Sequence, residues 1–191
     1  MGDTKYCLCC GDNVPYNYVE RHERRELTCV YCGFTLDVQK LWEPSATSEG
    51  TVIIAEDSKY VRDIITDVIK ARKFSYNVMA FENGLELITA FSRLISDRAA
   101  VDLAIIDLNM PVMDGLTAAR TIRAIESQHK IAATPIVFFS ATKADDALKA
   151  QMDLLSPASY MNKGSDPDPD SLAQRVEQLV GYLIEKYKKM Q

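Results

Sequence analysis

Val101-Asp102-Leu103-Ala104-Ile105-Ile106-Asp107-Leu108-Asn109-Met110-Pro111-Val112-Met113-Asp114-Gly115 is a strand-length apolar run that stops on a carboxylate. A strand over Asp102–Ile106 with apolar side chains at successive positions buries both faces, the habit of a parallel sheet covered by helices on each side. Leu116–Ile125 follows at helical spacing and supplies the first covering helix.

The same alternation extends in both directions. Thr51–Ala55, Asn77–Phe81, Pro135–Phe139 and Ala158–Met161 read as further strands. Val61, Ile64, Ile65, Val68 and Ile69 recur at helical spacing behind a capping Ser58. Asn83 with Glu86 resembles a capping box opening a helix through about Ile95. Ala144–Leu155 reads as a short helix, and Leu172, Val176, Leu179, Leu183 and Tyr187 mark one face of a long closing helix. Strand–helix five times predicts an α/β fold: a five-stranded, doubly wound parallel sheet with right-handed crossovers. In such sheets the ligand site lies beyond the carboxyl ends of the strands, at the switch point of their order.

Polar groups occupy those ends. The first strand runs into Glu56-Asp57, the third into Asp107, the fourth into Ser140 and the fifth into Asn162-Lys163. Clustered carboxylates raise one another's pKa unless a cation sits among them. Hard oxygen ligands with room for water suit magnesium, and Lys163 suits a phosphoryl oxygen. The chemistry predicted is phosphoryl transfer to Asp107 as nucleophile, with Lys163 and Mg2+ neutralising the transferred group and Ser140 donating a hydrogen bond to it. Taken singly, each residue has a plainer explanation: a solvated loop start, a surface lysine, a helix cap. Their joint placement at four strand ends does not.

Composition narrows the function further. No apolar run is long enough to cross a bilayer, and the start carries no apolar signal core, so a soluble cytoplasmic protein is expected. The net charge of −5 divides into −3 before residue 51 and −2 after it. Neither part is the basic body that holds phosphate backbones, which argues against a nucleic-acid partner. No nucleotide P-loop or dinucleotide fingerprint is present, so the phosphoryl donor is another molecule rather than bound ATP.

All five cysteines precede residue 33. Cys7/Cys10 and Cys29/Cys32 form two C-x-x-C pairs, each followed by glycine, which is metal-ligand spacing. This stretch resembles a zinc ribbon, with a structural Zn2+ replacing the core that about forty residues cannot supply. Cys9 is left over, and His22 lies in the charged segment 20–26. A nucleic-acid role would use Arg21, Arg24 and Arg25 with Tyr6, Tyr16, Tyr18 and Tyr31; the interleaved acids favour protein docking instead. The Pro- and Ser-containing segment 42–50 reads as a linker, dividing a module at 1–41 from a domain at 51–191.

From Thr51 onward the chain resembles the receiver domain of two-component response regulators. Val101–Gly115 looks like that family's phosphoacceptor segment, Glu56-Asp57 its acidic pair, Ser140-Ala141 its Ser/Thr-Ala, and Tyr160 its switch aromatic three residues before Lys163. The resemblance implies that Asp57, Asp107 and the Asn109 carbonyl hold magnesium, with Glu56 acting through water. It also implies that Ser140 and Tyr160 move together when Asp107 is phosphorylated, changing the surface of helix four, strand five and helix five. The implied partners are a sensor histidine kinase or phosphotransfer protein, a downstream protein target, and a homodimer through that face. The expected role is a phosphoacceptor signalling protein, not an enzyme, with no output domain behind the closing helix. A phosphorylation-independent scaffold and a ribbon-driven nucleic-acid-binding regulator are the alternatives. One departure stands out: Gly164 follows Lys163 where the family usually has proline.

Overall fold

The structure, a computed structural model, describes residues 4–21, 24–36, 48–71, 75–141, 144–164, 170–177 and 181. Ser165–Pro169, Leu179, Val180, Leu183, Ile184 and Tyr187, with His22 and Trp42, lie outside them, as do the side chains of Arg21, Arg24 and Arg25.

Two sheets form. The first is antiparallel, β1 (Thr4–Cys7), β2 (Asp12–Arg21) and β3 (Arg24–Cys29), in sequence order. The second is parallel and contains β4 (Ser48–Ala55), β5 (Ser75–Phe81), β6 (Val101–Asp107), β7 (Ile136–Ser140) and β8 (Ala158–Asn162) in the order β5-β4-β6-β7-β8. The connecting helices are α1 (Lys59–Ala71), α2 (Gly84–Ser96), α3 (Gly115–His129) and α4 (Asp146–Asp153), and residues 170–177 begin the closing helix, α5. Each expected strand of this domain and each helix from α1 to α4 is present, and the described residues 170–177 open the expected closing helix. β4 begins earlier than Thr51, because Ser48 pairs with Ser75 across an irregularity that ends at Thr51. The α4 helix is shorter than its apolar pattern, starting where the Asp145 side chain accepts the Leu148 N–H at 2.7 Å.

The all-apolar strands divide their side chains by alternation. Val52, Ile54, Leu103, Ile105, Val137 and Phe139 face Ile65 and Ile69 of α1 and Leu172 and Val176 of α5. Ile53, Ala55, Ala104, Ile106, Ile136 and Phe138 face Leu87 and Phe91 of α2, Ala118 and Ile122 of α3, and Met152 of α4. Each of the buried Val, Ile, Leu, Phe and Met side chains contributes about 1.5–3 kcal/mol, so register is strongly specified: a one-residue slip would exchange the two faces. Helix starts agree with the sequence. Asn83 Oδ1 accepts the Glu86 N–H at 3.0 Å, and Ser58 Oγ accepts the Val61 N–H at 3.5 Å.

The order places its switch point between β4 and β6, so Glu56-Asp57 and Asp107 emerge side by side. Away from it, a buried network fastens α3 to the loops that lead into β7 and β8. Arg123 Nη1 donates to Glu126 Oε2 at 2.6 Å, its Nε donates to the Leu155 carbonyl at 3.0 Å, and its Nη2 donates to the Thr134 carbonyl at 2.9 Å. Glu126 Oε1 accepts the Thr134 N–H at 2.6 Å. Removing one member strands a buried charge. Glu126→Ala is therefore expected to lower the unfolding free energy by about 3–5 kcal/mol, read as a reduced urea midpoint at unchanged slope.

Candidate functional site

Three carboxylates and one ammonium meet where β4, β6 and β8 end. Oxygens of Glu56, Asp57 and Asp107 lie within 4.8 Å of one another. Glu56 and Asp107 are buried, at 1% and 4% exposure, while Asp57 is exposed. Lys163 Nζ donates to Asp107 Oδ2 at 2.6 Å and to Glu56 Oε1 at 3.1 Å. Burial raises Glu56 above the usual carboxylate range, although Lys163 opposes it. Burial by itself would lower Lys163, but the bond to Asp107 and the charge of Glu56 outweigh it, and the ammonium is held in its charged form.

The donor set fits a divalent cation. Glu56 Oε2 lies 2.9 Å from Nζ yet outside hydrogen-bonding geometry, and it is buried with no hydrogen-bond partner. Three negative charges face one positive charge, and all donors are hard oxygens of the kind magnesium takes. Asn109 donates its N–H to Asp107 Oδ1 at 3.3 Å, which sets the turn beyond the strand.

Ser140 and Tyr160 sit beneath this pocket. Ser140 is fully buried at the end of β7, and its carbonyl accepts the Lys163 N–H at 2.7 Å. The Tyr160 ring is 5% exposed, and its hydroxyl shares hydrogen bonds with the side chains of Ser140 and Asn162. All the receiver-site residues read from the sequence thus gather at one sheet edge.

Sequence reasoning missed Arg62. From the first turn of α1 its Nη1 donates to the carbonyls of Glu56 at 2.6 Å and Asp57 at 3.3 Å, while its Nη2 donates to Glu82 Oε1 at 3.0 Å. The signal was an arginine six residues after Glu56, on the helix that the acidic loop enters.

The cysteine module forms a second centre. Sulfurs of Cys7, Cys10, Cys29 and Cys32 all lie within 4.8 Å of one another, with Cys7–Cys32 at 3.5 Å and Cys10–Cys29 at 3.7 Å. None of the five cysteines is in a disulfide. A tetrahedron with metal–sulfur bonds of about 2.3 Å has edges of about 3.8 Å, close to these separations. The glycine after each pair has positive φ, +69° at Gly11 and +71° at Gly33, and closes the turn onto Cys7 and Cys29. Cys10 N–H and Tyr31 N–H point at the sulfurs of Cys7 and Cys29, both at 3.4 Å. Hydrogen bonding to Cys32, and then burial, push the Cys7 and Cys9 thiols well up, and burial pushes Cys10 up to about 12. Cys32 is held low, at about 2, as the acceptor for Cys7 and Cys9. Without a cation such a cluster keeps few thiolates; a soft metal ion would allow four. Cys9 stands outside this set and packs toward the Tyr160 side of the large sheet.

With this geometry established, comparison with known proteins settles the class. A family model described as the response regulator receiver domain matches residues 52–177, and the chain belongs to that family. It is 30% identical over 90 residues to hybrid signal transduction histidine kinase M of Dictyostelium discoideum, covering 47% of this chain and 4% of that one. It is also 30% identical over 80 residues to the chemotaxis protein CheY of Bacillus subtilis, covering 42% of this chain and 62% of CheY. A protein-glutamate methylesterase of Vibrio vulnificus is 33% identical over 104 residues, which are 54% of this chain and 24% of the methylesterase. The chain thus spans less than two thirds of these relatives. Among solved structures, the receiver domain of the histidine kinase CKI1 from Arabidopsis thaliana, complexed with Mg2+ and BeF3-, superposes with a TM-score of 0.60. That pair shares 21% identity over 73% of this chain and 92% of the other. The phosphorylated cyanobacterial phytochrome response regulator RcpA gives 0.59 at 21% identity, over 73% and 96%. These likenesses establish the flavodoxin-like receiver fold. No helix among the described residues is long and apolar enough to cross a membrane.

Arg62 supplies charge-assisted bonds that hold the acidic loop. Arg62→Ala is expected to lower stability by about 1.5–3 kcal/mol, measured as a fall in urea midpoint relative to the parent protein.

Proposed function

We propose that this protein is a response regulator that accepts a phosphoryl group on Asp107 and signals through contacts with other proteins. The observation that carries the reading is Lys163 Nζ at 2.6 Å from Asp107 and 2.9 Å from Glu56, with Asp57 completing the acidic cluster. The donor would be the phosphohistidine of a sensor histidine kinase or phosphotransfer protein. As an Asp107 carboxylate oxygen bonds to phosphorus, the donor's nitrogen–phosphorus bond breaks. Lys163 neutralises charge on the transferred group, and Ser140 is the hydroxyl available to it from the adjacent strand. Magnesium, held by Asp57, Asp107 and the Asn109 carbonyl with Glu56 through water, would supply further charge neutralisation. Ser140 and Tyr160 would form the switch, because a hydroxyl drawn to the phosphoryl group must leave its bond with Tyr160.

In this reading residues 1–41 are a zinc-ribbon docking module in a cytoplasmic protein, and the linker expected over 42–50 is shortened to 42–47, because Ser48–Gly50 belong to β4 and join the receiver. Cys7, Cys10, Cys29 and Cys32 would hold a structural zinc ion that fills its shell with sulfur and leaves no position for catalysis. The α4–β8–α5 face would meet a downstream target or a second copy.

Incubation with acetyl phosphate and magnesium is expected to add one phosphoryl group to the parent protein and none to Asp107→Asn, read by intact-protein mass spectrometry. Failure of every donor to modify Asp107 would leave a receiver-shaped scaffold instead. Native mass spectrometry is expected to find one zinc ion per chain, lost on chelation and absent from Cys29→Ser.

A further inference from the structure

Gly164 has a φ of +83°, a conformation closed to proline, and a Cβ there would overlap the guanidinium of Arg175. That guanidinium explains the departure from the family pattern. Arg175, on α5, is 7% exposed; its Nη1 donates to the Lys163 carbonyl at 3.0 Å. Its guanidinium also lies 5.4 Å from the ring centroid of Tyr6, on β1 of the cysteine module. The residue whose ammonium grips Asp107 is therefore tied, through its own backbone, to an aromatic ring of the ribbon.

A second link runs along the other face of β8. Ser140 bonds Tyr160, Tyr160 bonds Asn162, and a Cβ at Gly11 of the ribbon would come 3.0 Å from the Asn162 side chain. Asn162 Oδ1 in turn accepts the Gly164 N–H at 2.7 Å. Cys9 packs with the cluster containing Tyr160, and Phe34 packs with the cluster containing Met161 and Leu172. The ribbon thus straddles β8, the last strand of its sheet. Its seat is not sealed: a cavity of about 820 Å³ is lined by Cys9, Tyr31 and Cys32 together with Lys149, Met152 and Tyr160.

Both links grip the unmodified arrangement. Phosphorylation adds close to two negative charges and three acceptor oxygens, beside Lys163 and one position along from Ser140. Lys163 Nζ would turn from Glu56 toward the new oxygens, and Ser140 would trade Tyr160 for one of them. We propose that the cysteine module is an intramolecular clamp on the β8 edge, one that opposes phosphorylation of Asp107 and is loosened by it. The inference rests on Asp107 being the phosphoacceptor. Coupling of this kind is reciprocal: whatever free energy phosphorylation takes from docking, docking takes from phosphorylation.

The test uses the full zinc-loaded chain as parent, Tyr6→Ala and Tyr6→Phe, each checked for bound metal. Losing the cation–ring contact is expected to speed Asp107 labelling by acetyl phosphate and magnesium about fivefold in Tyr6→Ala, with Tyr6→Phe at the parent rate. In the parent, beryllofluoride with magnesium is expected to raise Cys9 alkylation and amide hydrogen exchange over residues 6–11. Equal or slower labelling of Tyr6→Ala, or a ribbon whose alkylation and exchange ignore beryllofluoride, would overturn the clamp. No labelling of Asp107 in any variant would instead overturn the phosphoacceptor reading and the control ascribed to the clamp with it.

Discussion

The buried ammonium of Lys163 is what allows Glu56 and Asp107 to share a pocket. Two carboxylates at 1% and 4% exposure repel strongly where water cannot screen them. A single lysine answers one of those charges and leaves the cluster, with Asp57, two negative charges short of balance. A divalent cation would meet that deficit, and a phosphoryl group arriving with its own negative charge would need both cations to be tolerated. The arrangement depends on the sheet, because Glu56, Asp107 and Lys163 follow three different strands and come together only in the observed order. Here the core serves the site by holding register.

The cysteine module meets the same constraint at smaller scale. Four sulfurs within 4.8 Å cannot all ionise without a cation, and the thiols shift accordingly: Cys7 and Cys10 are held protonated, and Cys32 is kept as thiolate. The buried apolar residues that pack about the cysteines, Val14 with part of Phe34 and Leu36, are too few to hold three strands. Both halves of the chain thus use an unbalanced cluster of ligand atoms, hard oxygens in one and soft sulfurs in the other.

Much of this was legible in the sequence, and the limit has a physical cause. Continuous apolar runs such as Ile136–Phe139 announced strands buried on both faces, and the polar residue ending each run announced the site. Capping at Ser58 and Asn83 was legible because it is local: donor and acceptor lie three residues apart. Arg62, Arg123 and Arg175 were not, because each acts by reaching backbone carbonyls brought near by the fold, and any surface arginine has the same sequence signature. Gly164 was visible as an anomaly, but its reason is a guanidinium eleven residues further on.

The position of the ribbon also bears on the α4–β8–α5 face as a contact surface. An edge strand invites pairing with another chain unless something covers it. Here Cys9 and Phe34 of the ribbon pack with the clusters on either face of β8, and Arg175 of α5 is engaged with Tyr6. A second copy or a downstream protein seated on that face would compete with the ribbon for the same residues. Free energy that keeps the ribbon docked is therefore subtracted from any such association, and a modification that loosens the ribbon returns it. If Asp107 accepts a phosphoryl group as proposed, a ribbon packed on both faces of β8 would make partner binding conditional without requiring the partner to contact Asp107.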